Sequence, residues 1–167
     1  MFAILATRPE LAGFTLMGGT ALALQIGHRT SLDLDFGYFG ERLPEGVIDQ
    51  LMEGLKAAGH STQLVTSPDQ ISRFKINTGQ SLLDFVRDYA IDGVKVTFFA
   101  QSRSPRQRAY FQQAGKVQEG EMAFDVLGME GLGVAKTLLL AERVRSRDLY
   151  DLYILMRDHG LTLADIE

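Results

Sequence analysis

The sequence predicts an α+β domain with a helical C-terminal part, and three observations carry that expectation. A short apolar strand ends in a glycine pair and runs into a helix near the start of the chain. The middle carries extended-looking segments joined by at least one hairpin signal. The last third is dominated by helix formers with apolar stripes. At 167 residues, with 46% hydrophobic and 23% charged residues, the chain suits one globular domain or a domain with a small helical appendage. A natural division puts an α+β core at 1–126 and the helical part, packed on it, at 127–167.

Phe14 to Met17 reads as the first strand. Gly18-Gly19 breaks it, and Thr20 is placed to cap a helix over Ala21 to Ile26, which Gly27 ends. His28-Arg29-Thr30 forms the loop into Ser31-Leu32-Asp33-Leu34-Asp35-Phe36, a second strand. After Pro44, Val47, Ile48, Leu51, Met52 and Leu55 recur at helical spacing, which predicts a helix near Glu45 to Ala58 closed by Gly59. Ser61 to Thr66, Ile71 to Ile76, Leu82 to Asp88 and Val94 to Ala100 read as antiparallel strands, with Asp92-Gly93 as the turn between the last two. Ser102 to Gly115 is polar, and Met122 to Val126 is one more short strand. Helices are expected over Met129 to Val144, Ser146 to His159 and, after Gly160, from Leu161 to Glu167.

Composition narrows the function classes. A net charge of −4 argues against bulk electrostatic attachment to nucleic acid and leaves room for a local basic site. With no cysteine, disulfides and thiolate metal sites are excluded, in keeping with a reducing cytoplasm. Met1 to Leu11 has no basic start and no long apolar core, so no signal peptide is expected. Runs such as Leu138-Leu139-Leu140-Ala141 are far too short to span a bilayer, so no membrane partner is expected.

The chemistry is concentrated in two places. Side chains alternate along a strand, so Asp33 and Asp35 share a face, with Cα atoms about 6–7 Å apart. Leu32, Leu34 and Phe36 are expected on the core side. Adjacent like charges repel and aspartate is a poor strand former, so a strand gains nothing from this pair. An ordinary water-facing strand is the plain alternative. Two carboxylates on one face suit a hard divalent cation such as Mg2+. Gly18-Gly19 at a helix start is either a simple tight turn or a phosphate cradle. Metal and phosphate together suggest phosphoryl or nucleotidyl transfer. A third carboxylate on a neighbouring strand is the usual complement. The centre of the Val94-Phe99 strand carries Thr97 instead, and the nearby acids are Asp84, Asp88 and Asp92. Asp84 is the candidate third metal ligand.

The second place is the C-terminal helices. Lys136 and Arg143 lie about two turns apart on one face. Lys136 either packs its stem and sends its head to water or brings a cation to a phosphate. Asp148 fits a helix-start carboxylate paired with Arg147 or Arg143, whereas Asp151 is deeper and more suspicious. His28 and Arg29 serve either as a surface loop or as contacts to a phosphate or leaving group. Arg103, Arg106 and Arg108 form a solvated loop or guide an RNA or nucleotide phosphate. His60 and His159 suit helix-end capping.

Met17-Gly18-Gly19-Thr20-Ala21-Leu22-Ala23-Leu24, then Gly27-His28-Arg29, then Ser31 to Phe36, resembles the AbiEii/AbiGii toxin family. The block from Ala135-Lys136 through Arg143 to Arg147-Asp148-Leu149-Tyr150-Asp151-Leu152 resembles the same family in order and spacing. That family is similar to the DNA polymerase β-like nucleotidyltransferases. The resemblance implies a minimal nucleotidyltransferase mixed sheet flanked by helices, with a C-terminal helical part. It implies Gly18, Gly19 and Thr20 at the triphosphate; His28, Arg29 and Ser31, from their place between that turn and the aspartates, complete the expected nucleotide-binding set. It implies Mg2+ on Asp33 and Asp35, with Lys136 as the family's helical lysine and Asp148 and Asp151 as its last acidic motif. Asp33, Asp35, Lys136 and Asp151 are the expected catalytic set, with Asp151, or as the alternative Asp84, orienting the acceptor hydroxyl. The implied partners are a nucleoside triphosphate, an RNA acceptor such as tRNA, and a cognate antitoxin. A nucleotide-binding module without turnover, or an antitoxin-binding protein of the same fold, are the alternatives.

Overall fold

A computed structural model of the chain describes residues 1–100, 104–118, 120–162 and 164. Its elements run α1 (Phe2–Ala6), β1 (Phe14–Met17), α2 (Gly18–Ile26), β2 (Leu34–Tyr38), α3 (Glu45–Ala57), β3 (Thr62–Leu64), α4 (Pro68–Thr78), β4 (Val86–Ile91), β5 (Val94–Ala100), α5 (Pro105–Gln113), β6 (Lys116–Val117), β7 (Asp125–Leu127), α6 (Met129–Glu142) and α7 (Ser146–Asp158). Short 3-10 turns occupy Pro9–Leu11 and Leu82–Asp84. The strands form one mixed sheet in the order β3-β4-β5-β2-β1-β7-β6.

β1 and β2 pair antiparallel, with Met17 opposite Asp35. β2 and β5 pair parallel, with Asp35 beside Thr97. β4 and β5 form the hairpin expected from Asp92-Gly93. Both turn residues have positive φ, 48° and 79°, the backbone that a two-residue hairpin of this kind needs.

Period-two burial sets the sheet's orientation. Leu34 and Phe36 of β2, Val96 and Phe98 of β5, and Tyr89 and Ile91 of β4 enter the core. The rings of Phe36 and Phe98 stack at 5.7 Å. α3 contributes Ile48, Leu51, Met52 and Leu55 to the same core. The other parity leaves Asp35, Thr97 and Asp88 side by side along neighbouring strands. Buried Arg87 ties β4 to α3 by ion pairs to Glu45 and, at 3.1 Å, to Asp49, and its Nε–H donates to the Leu83 carbonyl.

Several expectations need correction. Ile71 to Ile76 is helical, inside α4. Pro68 opens that helix, Asp69 and Lys75 complement its two ends, and Gly79 closes it at φ 71°. Those end signals outweigh the alternation, and no α4 residue is fully buried. β4 starts at Val86, because Leu82–Asp84 turns through a 3-10 segment first. Arg106 and Arg108 lie on α5, whose N-cap Ser104 accepts from the Gln107 N–H; Arg103 lies outside the described residues. Leu32 precedes β2 and is 75% exposed rather than in the core. Most of the helix expected from Leu161 to Glu167 falls outside the described residues. Among them, no helix is long and apolar enough to cross a membrane.

Candidate active site

The strand-to-helix turn and the paired aspartates meet. Met17 is the last residue of β1 and Gly18 the first of α2. Gly18 has φ 72°, a conformation that disfavours any Cβ. A Cβ there would also collide with Asp35 Oδ2. At Gly19 a Cβ would lie 2.5 Å from Arg29 Nη2 and 2.9 Å from Ser31 Oγ. A side chain at either position would have to displace these neighbours, and at Gly18 the backbone itself disfavours one. Their N–H groups belong to the first helical turn, where no intrahelical acceptor exists. The helix N-terminus adds partial positive charge at the same spot.

Asp33 stands at the mouth, exposed, and Asp35 is half-buried below it. Among the described residues, neither carboxylate makes a hydrogen bond or an ion pair. Burial pushes the Asp35 carboxyl above its ordinary range, and the like charge of Asp33 adds to the effect. Lys95 and Lys136 partly oppose it. Both carboxylates line a cleft of about 150 Å3 with Gly18, Gly19, Arg29, Ser31 and Lys136. A second, mostly apolar cavity of about 630 Å3 opens beside it, sharing Gly18, Asp35, Lys136 and Arg143, with walls that include Val86, Phe99, Leu132 and Leu138.

The acid-rich end of α7 is arranged differently. Asp151 is fully buried. It accepts from Arg29 through Nε at 2.7 Å and Nη2 at 2.8 Å, and from His28 Nε2 at 2.7 Å. Lys136 Nζ lies 2.8 Å from its other oxygen. These cationic and N–H partners outweigh desolvation and hold the Asp151 carboxyl far below the usual range. Lys136 also donates to Asp148 at 2.6 Å. Asp148 therefore pairs with the buried lysine, not with Arg143 or Arg147.

This geometry revises several expected roles. Asp151 lines neither cavity and has no oxygen free to orient an acceptor; it locks the His28-Arg29 loop and Lys136 to α7. The His28 side chain is 4% exposed and stacks on Tyr150 at 5.9 Å, away from the cleft. Thr20 does not cap α2. Its hydroxyl donates to the Asp33 carbonyl at 2.5 Å and fixes the aspartate segment against the helix start. Asp84 sits in the 3-10 turn, paired with Arg42 at 3.0 Å, and lines neither cavity. Among the described residues no cluster of three metal-ligating side chains exists.

Two residues were within reach of strand parity. Lys95 lies two positions before Thr97 on the same face and lines the cleft. Asp88 lies opposite Thr97, whose hydroxyl donates to it at 2.7 Å. The acid that faces Asp35 across the sheet thus stands one strand further away, with Thr97 between. Arg145 lines the cleft as well, and the alternating Arg143-Val144-Arg145 could have signalled it.

A mixed sheet whose central strands set a glycine helix start beside strand carboxylates is a nucleotidyltransferase fold. The profile described as "Nucleotidyl transferase AbiEii toxin, Type IV TA system" matches residues 1–167, and the chain belongs to that family. It is similar to the uncharacterized protein aq_aa25 of Aquifex aeolicus, 29% identical over 155 residues, covering 92% of this chain and 63% of the relative. The chain therefore spans less than two thirds of that relative's length. Its fold is similar to a Helicobacter pylori protein assigned as a nucleotidyltransferase, with TM-score 0.60, 20% identity, and 99% and 69% of the two chains covered. It is also similar to the structure of ANT(2")-Ia in complex with adenylyl-2"-tobramycin, with TM-score 0.58, 13% identity and coverage of 92% and 82%. At such identities the likeness is one of fold.

Proposed function

We propose that this chain carries a toxin-type nucleotidyltransferase activity, moving a nucleotide from a nucleoside triphosphate to an acceptor hydroxyl. The observation that supports this most is the pairing of an unpartnered, raised-pKa Asp35 with the glycine turn that packs on it. Phosphate oxygens would take N–H bonds from Gly18 and Gly19, bordered by Arg29 and Ser31. Lys136 offsets phosphate charge while Asp148 and Asp151 hold it in place. In transfer, the acceptor oxygen bonds to the α-phosphorus, the bond to the bridging oxygen breaks, pyrophosphate leaves with the electron pair, and the hydroxyl proton passes to solvent. Most of the rate enhancement then comes from positioning and charge neutralisation.

Asp33 and Asp35 fit a hard divalent cation such as Mg2+: two unpaired carboxylates at the phosphate end of the cleft, whose ionised forms a bound cation would favour over the burial and like charge that raise Asp35. Bound there, the ion supplies Lewis-acid stabilisation of the phosphates. RNA, including tRNA, is the acceptor class we favour, and a cognate antitoxin is the protein partner the family description suggests. A hydroxyl of an aminoglycoside is the acceptor type that the ANT(2")-Ia complex suggests by likeness of fold.

A second reading, a nucleotide-binding module without turnover, is favoured by Thr97 at the third-acid position and by Asp88 lying one strand beyond it. Incubation with labelled nucleoside triphosphates, Mg2+ and total RNA separates the two. Transfer by wild type and not by Asp33→Ala/Asp35→Ala supports the enzyme. Equal failure of both, with calorimetric nucleotide binding intact, supports the module. Absence of binding at high protein concentration leaves only an antitoxin-contact role.

A further inference from the structure

α6 and α7 are joined by Arg143-Val144-Arg145, and α7 opens with Ser146-Arg147, so arginine recurs at every second position. Arg143 (φ −155°, ψ 144°) and Arg145 (φ −122°, ψ 135°) have extended backbone, in which side chains two apart share a face. Val144 falls on the opposite face and is 74% exposed. Arg143, Arg145 and Arg147 all line the small cleft that holds Gly18, Gly19 and Asp35.

None of these three guanidinium groups has a side-chain hydrogen bond or an ion pair among the described residues. The other basic groups of the cleft are matched: Arg29 to Asp151, Lys95 to Asp88, and Lys136 to Asp148 and Asp151. Three like charges beside Lys95, Lys136 and Arg29 repel one another. The same cleft offers Asp33, Asp35 and Asp148, and Asp148 already serves Lys136. With Arg29, Lys95 and Lys136 already paired, three arginines unpaired among the described residues share the cleft with two unpaired carboxylates, Asp33 and Asp35. Guanidinium forks match phosphate oxygens bidentately, and a row of them suits successive phosphates better than one.

We infer that Arg143, Arg145 and Arg147 form a polyphosphate clamp, gripping the two phosphates that leave the nucleotide as pyrophosphate. The cleft is about 150 Å3 and is closed on one side by the glycine turn, which suits a compact polyphosphate and not a nucleic-acid strand. The comb would select triphosphates over shorter nucleotides and would bind pyrophosphate or tripolyphosphate without any nucleoside. The inference rests on the nucleotide reading above, and its test omits nucleoside and transfer.

The full chain is titrated calorimetrically with sodium tripolyphosphate, pyrophosphate and orthophosphate in EDTA, as wild type, as Arg143→Gln/Arg145→Gln/Arg147→Gln and as the corresponding Lys triple. Melting curves confirm that each variant folds, which is expected because all three side chains are exposed. Tripolyphosphate should bind wild type more tightly than orthophosphate. Its Kd should rise at least about tenfold in the Gln triple and recover partly in the Lys triple, with affinity falling as salt rises. No binding by wild type, or equal Kd values for wild type and the Gln triple, overturns the clamp. A short RNA oligonucleotide is the second ligand: loss of RNA affinity with tripolyphosphate affinity unchanged also overturns it, and gives the comb to the acceptor. Tripolyphosphate binding that depends on the arginines, in a protein that transfers nothing, supports the clamp and counts against the transfer reading.

Discussion

Two pairs of aspartates, Asp33/Asp35 and Asp148/Asp151, stand on either side of Lys136 and have opposite environments. On the strand side, Asp33 and Asp35 have no partner among the described residues, and burial drives Asp35 upward. On the helix side, Asp151 is fully buried, yet Arg29, Lys136 and His28 drive it downward. Burial raises a carboxyl pKa in both places, and the paired cations decide the sign. An aspartate left with free lone pairs at a cleft is available for chemistry. An aspartate whose oxygens are all occupied acts as a structural tie.

The largest effect should come from the unpaired side. Asp33→Ala/Asp35→Ala is expected to lower nucleotide labelling of RNA by about 10^2-fold or more, the scale of a lost transition-state contact. Its melting temperature should hold, because removing two repelling, unpartnered charges costs the fold little. A large loss of stability in that variant would break the comparison.

Asp151→Asn should do the reverse to the fold. It strips a buried partner from Arg29 and Lys136, at a cost of about 3–5 kcal/mol, measurable by urea unfolding at neutral pH. The sign with pH follows from the lowered carboxyl. The native state resists protonating Asp151, so its contribution is present above the ordinary value of 3.8 and is lost as pH falls towards the native-state value. The stability gap between wild type and Asp151→Asn should therefore narrow as the solution is acidified.

A finer test concerns Asp35 alone. Its raised carboxyl means that the ionised form disappears, on acidification, at a pH above 3.8. Mg2+-dependent nucleotide affinity should fall with a midpoint above that value. Asp33→Asn, which removes the like charge, should move the midpoint down. Calorimetry across pH reads it, and a midpoint unmoved by Asp33→Asn would mean that burial acts alone. The smallest effect is expected at Asp84, whose partner is Arg42. Asp84→Ala should leave labelling and metal affinity unchanged, and a clear loss of either would restore it as a ligand.

Legibility in the chain followed the range of the interactions. The glycine turn and the Asp92-Gly93 hairpin are local and readable from spacing; Asp33 and Asp35 do line one cleft, but only Asp35 lies in β2, and Asp33 precedes the strand. The parity argument, extended to β5, reaches Lys95. Ile71 to Ile76 misled because its alternation is short, whereas the Pro68 and Gly79 signals that govern α4 lie outside it. The pairings of Asp151 with His28 and Arg29 join positions more than a hundred residues apart, and no local pattern encodes them.

By itself the sequence determined the core-facing parity of β2 that turns Asp35 to the other side, the break that starts α2, and membership in a family of recognisable motifs. Those depend on backbone periodicity and on residue types at fixed spacing. Only the tertiary structure decided which carboxylates stay unpaired, that Thr97 separates Asp88 from Asp35, and that the linker arginines converge on the glycine turn. Those outcomes depend on which distant elements pack together. Burial and charge pairing are properties of that packing and of no single segment.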